Sequence, residues 1–350
     1  MNLFSWLPAL NGPQTKGAGR PFWAGFALLI AAAYAFPFFS DDYTVGNVAY
    51  FFTWQFMTIG LCLIWGYGGA LSFGQTAFFG ISGYTYGVLT INFGSAYGLT
   101  LLALVVALLL SAVVAALLGY FLFFGRVSGV FLGIVTLAVS LVLERFMAQT
   151  AGPQWHIGEA RLNGYNGMSS ILPITLPWFG EDIALMPGTG FYLFVLTLLL
   201  AVYLGFRIII NSRFGNVLLA IRENPGRAEM LGYDVRKYQL GAFVAGGVLA
   251  GLSGVLYSSW GQYITPSSMS LTAAALPVIW VAMGGRSDIS ATVVGTFVVL
   301  AIFQTLTIYG SQYALVIMGA LLLLNVLTTP EGLILQCFQW ITRLTPRRRP

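Results

Sequence analysis

Few residues in this 350-residue chain have the types and spacing that catalysis needs. His156 is the single histidine, and it lies in a Gly- and Pro-rich connecting stretch rather than beside a nucleophile and a carboxylate. A metal centre wants three or four clustered His, Cys or carboxylate ligands, and no such spacing occurs. Cys62 and Cys337 are far apart and read as free thiols, with no disulfide framework. The Gly-x-x-x-x-Gly-Lys-Ser/Thr loop that cradles nucleotide phosphates is absent. The expectation is therefore no catalytic residue, no metal and no cofactor.

What chemistry remains is hydrogen bonding by uncharged groups set in apolar runs. Ser72, Gln75, Thr76, Thr136, Ser140, Ser270 and Thr272 are the candidates for lining a path, with Ser82, Gln304 and Thr305 beside them. Such a lining suits a small neutral or zwitterionic solute, whereas a multivalent anion would call for Arg or Lys inside. Each of these residues can equally serve a helix–helix hydrogen bond. Gln75 and Thr76 stand out because they fall in an irregular stretch. Carboxylates are nearly absent from the apolar runs, Glu144 beside Arg145 being at the end of one. Ion-driven carriers usually bind their coupling ion through intramembrane Asp, Glu or His. Energy must then come from elsewhere, or the chain is a passive channel.

One polar stretch, residues 213–238, points to that other source. It carries Arg213, Arg222, Arg227, Arg236 and Lys237 out of 16 Lys and Arg, and is too charged for hydrocarbon. The pattern predicts a short helix over 214–223. Asn224 then caps a second helix with Pro225 in its first turn, Arg227–Leu231 continue it and Gly232 ends it. A structured helix pair projecting into water from a membrane protein is a shape for docking a soluble motor. The residues expected to make that contact are Arg222, Glu223, Asn224, Pro225, Gly226, Arg227, Ala228, Glu229, Leu231 and Gly232.

The elements that must position these groups follow from composition. Hydrophobic residues make up 58% and charged residues 8%, against about 25% charged in a soluble domain, and mean hydropathy is +0.83. The chain reads as a single all-α integral membrane domain over 1–350, with no room for a separate soluble domain. No cleavable signal peptide is expected, since the first 20 residues hold Pro8, Pro13 and three Gly without an apolar core. A crossing helix needs about 20 apolar residues. On that rule ten segments emerge, roughly 22–39, 46–66, 72–92, 98–124, 129–149, 190–211, 239–260, 269–284, 289–309 and 311–329.

Alternating ten segments from a cytoplasmic N-terminus (1–21) puts Lys16, Arg20, Arg126, Arg207, the 212–238 loop, Arg286 and the basic tail (330–350, with Arg343 and Arg347–Arg349) inside. Only Arg145 and Arg161 fall outside, which satisfies the positive-inside rule. The 150–189 segment becomes a capped external loop with one short interfacial helix. Ten segments divide into two inverted halves of five, and the third of each half, the third and eighth overall, is broken. One reads Gly66–Gly87, dense in Gly, Ser and Thr; the other reads Pro266–Arg286, short, with Pro277 inside it. Paired interrupted segments at matching positions point to a transport path.

These residues also carry a resemblance. Gly66-Tyr-Gly-Gly-Ala-Leu-Ser-Phe-Gly-Gln-Thr-Ala-Phe-Phe-Gly-Ile-Ser-Gly-Tyr84 resembles the signature of LivM-like permeases, subunits of bacterial ABC importers for branched-chain amino acids and related solutes. Ala220–Ala228, Leu231-Gly232-Tyr233, Lys237–Phe243, Ala250–Tyr257, Pro266, Gly284-Gly285 and the external Asn163–Met168 run continue the likeness over nearly the whole chain. The resemblance implies that 212–238 is the coupling loop that fits a cleft on an ATP-hydrolysing subunit. It implies as partners a second homologous permease (LivH-like), two cytoplasmic ATP-binding subunits and an extracytoplasmic solute-binding protein, with membrane lipid around them and no nucleic acid. It also implies the bacterial inner (plasma) membrane, both termini cytoplasmic. Three features depart from the pattern. Gln75 stands where many relatives have His, the insert 154–161 is long, and Val278–Arg286 looks more like the urea-permease branch. A urea or short-chain amide importer is therefore the alternative to the amino-acid reading, and a passive channel for a small neutral solute the more remote one.

Overall fold

A computed structural model of the chain describes residues 10–15, 17, 19–94, 98–178, 181–329 and 332–336. Cys337, most of the basic tail and residues 1–9 lie outside that set. The helices are α1 (Arg20–Ala35), α2 (Asp42–Leu61), α3 (Gln75–Phe93), α4 (Leu99–Phe124), α5 (Gly129–Gln149), α6 (Thr189–Asn211), α7 (Arg213–Glu223), α8 (Pro225–Met230), α9 (Val235–Gly261), α10 (Leu271–Gly284) and α11 (Ile289–Thr328).

Seven helical stretches are long and apolar enough to cross a membrane, among the described residues. The third and eighth expected segments fall short of that measure. Helix α3 is diluted by Gly, Ser, Thr and Gln, and α10 has 14 residues.

The core is organised around α9. It packs on α2, α3 and α4, because small residues let backbones meet where lipid supplies no hydrophobic drive between helices. A Cβ added at Gly254 would overlap the Phe79 carbonyl of α3, and one added at Gly60 of α2 would stand 2.8 Å from the Gly246 carbonyl. Helix α4 answers with a small-residue stripe, Ala103, Ala107, Ser111, Ala115 and Gly119, all buried at four-residue spacing. Its remaining faces, with Leu102, Leu109, Leu117 and Phe121 exposed, suit lipid. Helix α1 has no buried residue and leans on α6, where Tyr192 donates to the Ala33 carbonyl at 2.8 Å.

The ninth and tenth expected segments join in one helical run, α11, with no non-helical residue between them. A straight helix of 40 residues would span about 60 Å. Yet both ends meet the end of α10. Gly295 and Gly284 are in backbone contact, Asn325 Nδ2 donates to the Ala282 carbonyl at 3.3 Å, and Gly332 lies on Gly285. Val299, Leu300 and Met318 share one buried cluster. The run therefore doubles back midway, near Tyr309.

The external segment holds three short antiparallel pairs instead of an interfacial helix. They are β1 (His156–Ile157) with β2 (Ala160–Arg161), β3 (Met168–Ser169) with β6 (Tyr263–Ile264), and β4 (Thr175–Trp178) with β5 (Glu181–Ala184). Among its described residues, the helical turn is Gly164–Asn166. The insert 154–161 is thus a hairpin. Asn92 at the end of α3 clips it, bonding the Ile157 carbonyl at 2.8 Å and the Glu159 amide at 2.7 Å. His156 is exposed there, its Nδ1 2.9 Å from the Gly158 carbonyl.

Candidate functional site

The broken third segment begins earlier than the sequence pattern indicates. Helix α2 ends in a π-helical turn, Cys62–Tyr67, in which Gly68 N donates to the Leu63 carbonyl at 3.0 Å. The chain then runs without regular structure to Gly74, through Gly69 at φ +72, a left-handed value that a glycine adopts freely. Non-helical backbone at membrane depth must be satisfied by protein or water. Here α5 does it. Phe73 N donates to Thr136 Oγ1 at 3.1 Å, Ser140 Oγ donates to the Phe73 carbonyl at 3.4 Å, and Thr76 Oγ1 donates to Ser140 Oγ at 3.3 Å. Ser72 Oγ accepts from Gly74 N at 3.1 Å.

The structure thus brings Ser72, Gln75, Thr76, Thr136 and Ser140 together, all buried, and gives them different tasks. The four hydroxyls hold the break in shape. The Gln75 side-chain amide, at the first position of α3, has no hydrogen-bond partner on either its oxygen or its nitrogen. An unpartnered buried amide is costly unless water or solute completes it. Gln75 is accordingly the member of the set with unused hydrogen-bonding capacity. Gln55 in α2 is in the same condition, as are the indole nitrogens of Trp54 and Trp280. These three were not singled out in the sequence; a glutamine inside an apolar span was the available signal for Gln55.

The eighth segment also departs from a simple crossing. After β6 the chain turns inward as a 3-10 turn, Pro266–Met269, packed on α3 and α5. Met269 fills the space at Gly80, where a Cβ would overlap its Sδ. Helix α10 then starts. Ser270 caps it, accepting from Ala273 N at 3.4 Å, and Thr272 is exposed. Among the described residues, Ser270 and Thr272 are therefore not hydrogen-bonded to Ser72, Gln75, Thr76, Thr136 or Ser140. Between α2, α10 and α11 lies a cavity of about 60 Å³ lined by Trp54, Leu276, Trp280 and Gln304 among others. Trp54 stacks on Phe79 at 5.0 Å and meets Trp280 edge-on at 5.6 Å.

The polar loop folds as two helices with the caps that its sequence specifies. Ser212 accepts from Phe214 N at 3.2 Å to start α7. Asn224 accepts from Arg227 N at 2.9 Å with Pro225 at the first position of α8. At the end of α8, Gly232 N bonds the Glu229 carbonyl and Tyr233 N the Ala228 carbonyl, with Gly232 at φ +87, the paired pattern of a glycine-terminated helix. Val217, Ile221, Ala228 and Val235 form a buried cluster that holds the two helices to α9. Met230 and Leu231 at the tip are exposed. Asp234 accepts from Lys237 at 3.2 Å, and that bond holds its carboxyl below the ordinary carboxylate value.

One contact joins the loop to the break. Arg222 Nη1 donates to the Gly66 carbonyl at 2.6 Å, and its Cα, Cβ and Cγ crowd Gly69. On the other side of Gly66 lies the Arg286 carbonyl, which a Cβ at residue 66 would overlap. The same carbonyl accepts from Cys62 Sγ at 3.3 Å. The loop, the break before α3 and the exit of α10 thus converge on one glycine.

Comparison with known proteins gives the family. Residues 43–326 match the family model described as "Branched-chain amino acid transport system / permease component". The chain is 26% identical over 353 residues to the high-affinity branched-chain amino acid transport system permease protein LivM of Escherichia coli (strain K12), covering 94% of this chain and 77% of that one. It is 27% identical over 254 residues to a probable LivM permease of Methanocaldococcus jannaschii, covering 68% of each. A probable LivH permease of the same archaeon is 31% identical over 142 residues, 37% of this chain and 44% of that one. No solved structure matches.

Proposed function

This multi-pass membrane protein belongs to the family of branched-chain amino acid transport system permease components, and we propose that it forms half of the translocation path of an ATP-driven importer for branched-chain or related amino acids. The observation that carries the proposal is the capped helix pair α7–α8, tied through Arg222 to the Gly66 carbonyl at the break before α3. A passive channel has no use for such a loop. Separate ATP-binding subunits hydrolyse ATP and dock on Arg222–Gly232, with the exposed Met230 and Leu231 entering their cleft. A second, LivH-like permease completes the path, and a binding protein delivers solute from outside.

The chain crosses the inner membrane ten times with both termini in the cytoplasm. Contacts that group the ends of elements support this. Leu10–Thr15, Tyr67, Arg222 and the start of α11 meet on one side, while Asn92, the strand pairs and β6 meet on the other. The doubled-back α11 returns Asn325 to the first side. Closure of the ATP-binding subunits moves α7, α7 moves Gly66, and the break before α3 rocks around the Gln75 amide, which the passing solute's polar groups engage.

Uptake of labelled leucine and labelled urea at micromolar solute, in cells with and without the chain, tests the substrate. Loss of leucine uptake alone is expected. Loss of urea uptake alone would move the chain to the amide branch that its Val278–Arg286 run resembles. A bulky residue in place of Gly232 is expected to abolish uptake and motor binding, and normal uptake with it would overturn the coupling role of the loop.

A further inference from the structure

The segment preceding α1 does more than lead into the membrane. Leu10 and Thr15 are buried, and the segment is gripped at three places. First, the wholly buried Arg207 near the end of α6 donates from Nε to the Leu10 carbonyl and from Nη2 to the Gly17 carbonyl, and from Nη1 to Tyr203 at 2.9 Å. Its guanidinium also lies 4.7 Å from the Phe22 ring and 5.2 Å from the Trp23 ring. The planar fork of an arginine can span both carbonyls at once, which a lysine ammonium cannot. Second, Asn211 accepts from Gln14 N at 3.1 Å and donates to Thr15 Oγ1 at 3.1 Å. Third, Gln14 itself reaches two working parts. Its Nε2 donates to Asn216 Oδ1 of α7 at 2.9 Å, and its carbonyl accepts from the Tyr67 hydroxyl at 3.3 Å.

We propose that residues 10–15, held also at Gly17, are a strap that links the coupling helix α7 to the π-helical turn before α3, with Gln14 as the positioning residue that carries motion from Asn216 to Tyr67 and Arg207 as the clamp that holds the strap in place. This rests on the coupling role proposed for α7. It adds a second connection, parallel to Arg222–Gly66 and ending one residue further along the same turn. The strap and the direct bond grip neighbouring residues of one turn, Tyr67 and Gly66. Nothing about the strap needs Gln14 for folding, since its bond to Asn216 is exposed.

The two ends of the link can be cut separately. Gln14→Ala removes the bond to Asn216 and keeps the main-chain bonds to Asn211 and Tyr67. Tyr67→Phe removes the bond to the Gln14 carbonyl and keeps the buried ring. The full importer, with its ATP-binding subunits, partner permease and binding protein, is reconstituted in proteoliposomes, and solute imported per ATP hydrolysed is read with labelled leucine. Each variant is expected to lower that ratio by about fivefold, the leverage of one ordinary hydrogen bond over an equilibrium. The double variant is expected to be no worse than either, as for two cuts in one link. Co-purification of the ATP-binding subunits is expected to stay unchanged. An unchanged ratio in both variants, or losses that multiply in the double variant, would overturn the strap. If that happens while a bulky residue at Gly232 still uncouples, the strap alone fails. If the ATP-binding subunits do not co-purify with the wild-type chain, the coupling role of α7 fails and the strap with it.

Discussion

Arg222 makes two polar contacts whose worth differs, and separating them tests the route from loop to membrane. Its Nε and Nη2 reach Glu223 Oε1 at 3.1 and 2.8 Å, and its Nη1 reaches the Gly66 carbonyl at 2.6 Å. The Glu223 side chain is 72% exposed, so the ion pair is a surface pair worth about 0–1 kcal/mol. The carbonyl bond is charge-assisted and part-buried. Such bonds contribute about 1.5–3 kcal/mol, and the 32% exposure of the arginine side chain brings the expectation down to about 1–2 kcal/mol. That is a factor of about 5–30 in any equilibrium that depends on the turn staying attached to α7.

Arg222→Ala is therefore expected to cut solute imported per ATP by about 5–30-fold, while Glu223→Gln loses less than about fivefold. Arg222→Lys should fall between them, keeping the charge and losing the fork. The assay is the reconstituted importer. A second readout needs no partner: hydrogen exchange at Gly68, Gly69 and Ala70, whose amides close the π turn at 3.0–3.1 Å, should quicken in Arg222→Ala alone. If Glu223→Gln did as much damage as Arg222→Ala, the surface pair would be the working contact and the argument through Gly66 would be wrong. Unchanged exchange at 68–70 would be equally fatal to it.

Thr136→Val keeps the shape and leaves the Phe73 amide without its acceptor at 3.1 Å, so purified protein in detergent should lose about 1–3 kcal/mol by thermal or denaturant unfolding, with Thr136→Ser restoring it. Gly254→Ala would overlap the Phe79 carbonyl at the α3–α9 crossing and should cost about 1–3 kcal/mol or more, whereas Gly319→Ala, with open space around it, should be neutral or stabilising by about 0.5–1 kcal/mol. Asn224→Ala should destabilise α8 by about 1 kcal/mol, seen as faster exchange confined to Arg227–Met230, and Asn224→Asp should preserve it.

The polar loop was legible almost residue by residue because caps are local. Asn224, Pro225 and Gly232 each act on atoms within a few positions in the chain, so sequence spacing carries their geometry. The irregular stretches at 66–74 and 266–270 were legible as breaks for a related reason, their clustering of Gly, Ser and Pro. Where each break begins was not. The π turn at Cys62–Tyr67 sits against the Arg286 carbonyl, which is distant in the chain, and no local pattern encodes that contact. The hydroxyls Ser72, Thr136 and Ser140 were found as polar groups in apolar helices, but whether a hydroxyl faces a solute or a neighbouring backbone depends on tertiary contacts. Arg207 illustrates the same limit from the charged side. As a basic residue at a span end it satisfies the positive-inside rule, and nothing in its neighbours reveals that the Leu10 and Gly17 carbonyls close over it.

Gly66 is the residue at which the two breaks and the polar loop meet. Its lack of a Cβ admits the Arg286 carbonyl, its own carbonyl takes the Arg222 proton, and its position in a π turn makes the backbone there less regular than the α-helix on either side. The Arg286 carbonyl also takes the Cys62 thiol proton, and Thr292 at the start of α11 reaches Cys62 Sγ and the Gly285 carbonyl at 3.3 and 3.0 Å. On the proposed coupling, a displacement of α7 would reach the entry of α3 and the exit of α10 through the same residue, by its carbonyl on one side and its bare Cα on the other. If the breaks were mere packing accommodations, their contact with each other and with the loop would be unnecessary, because small residues let helices approach anywhere along their length. Convergence on one residue is what a mechanism needs when a single push must move both walls of a path at once.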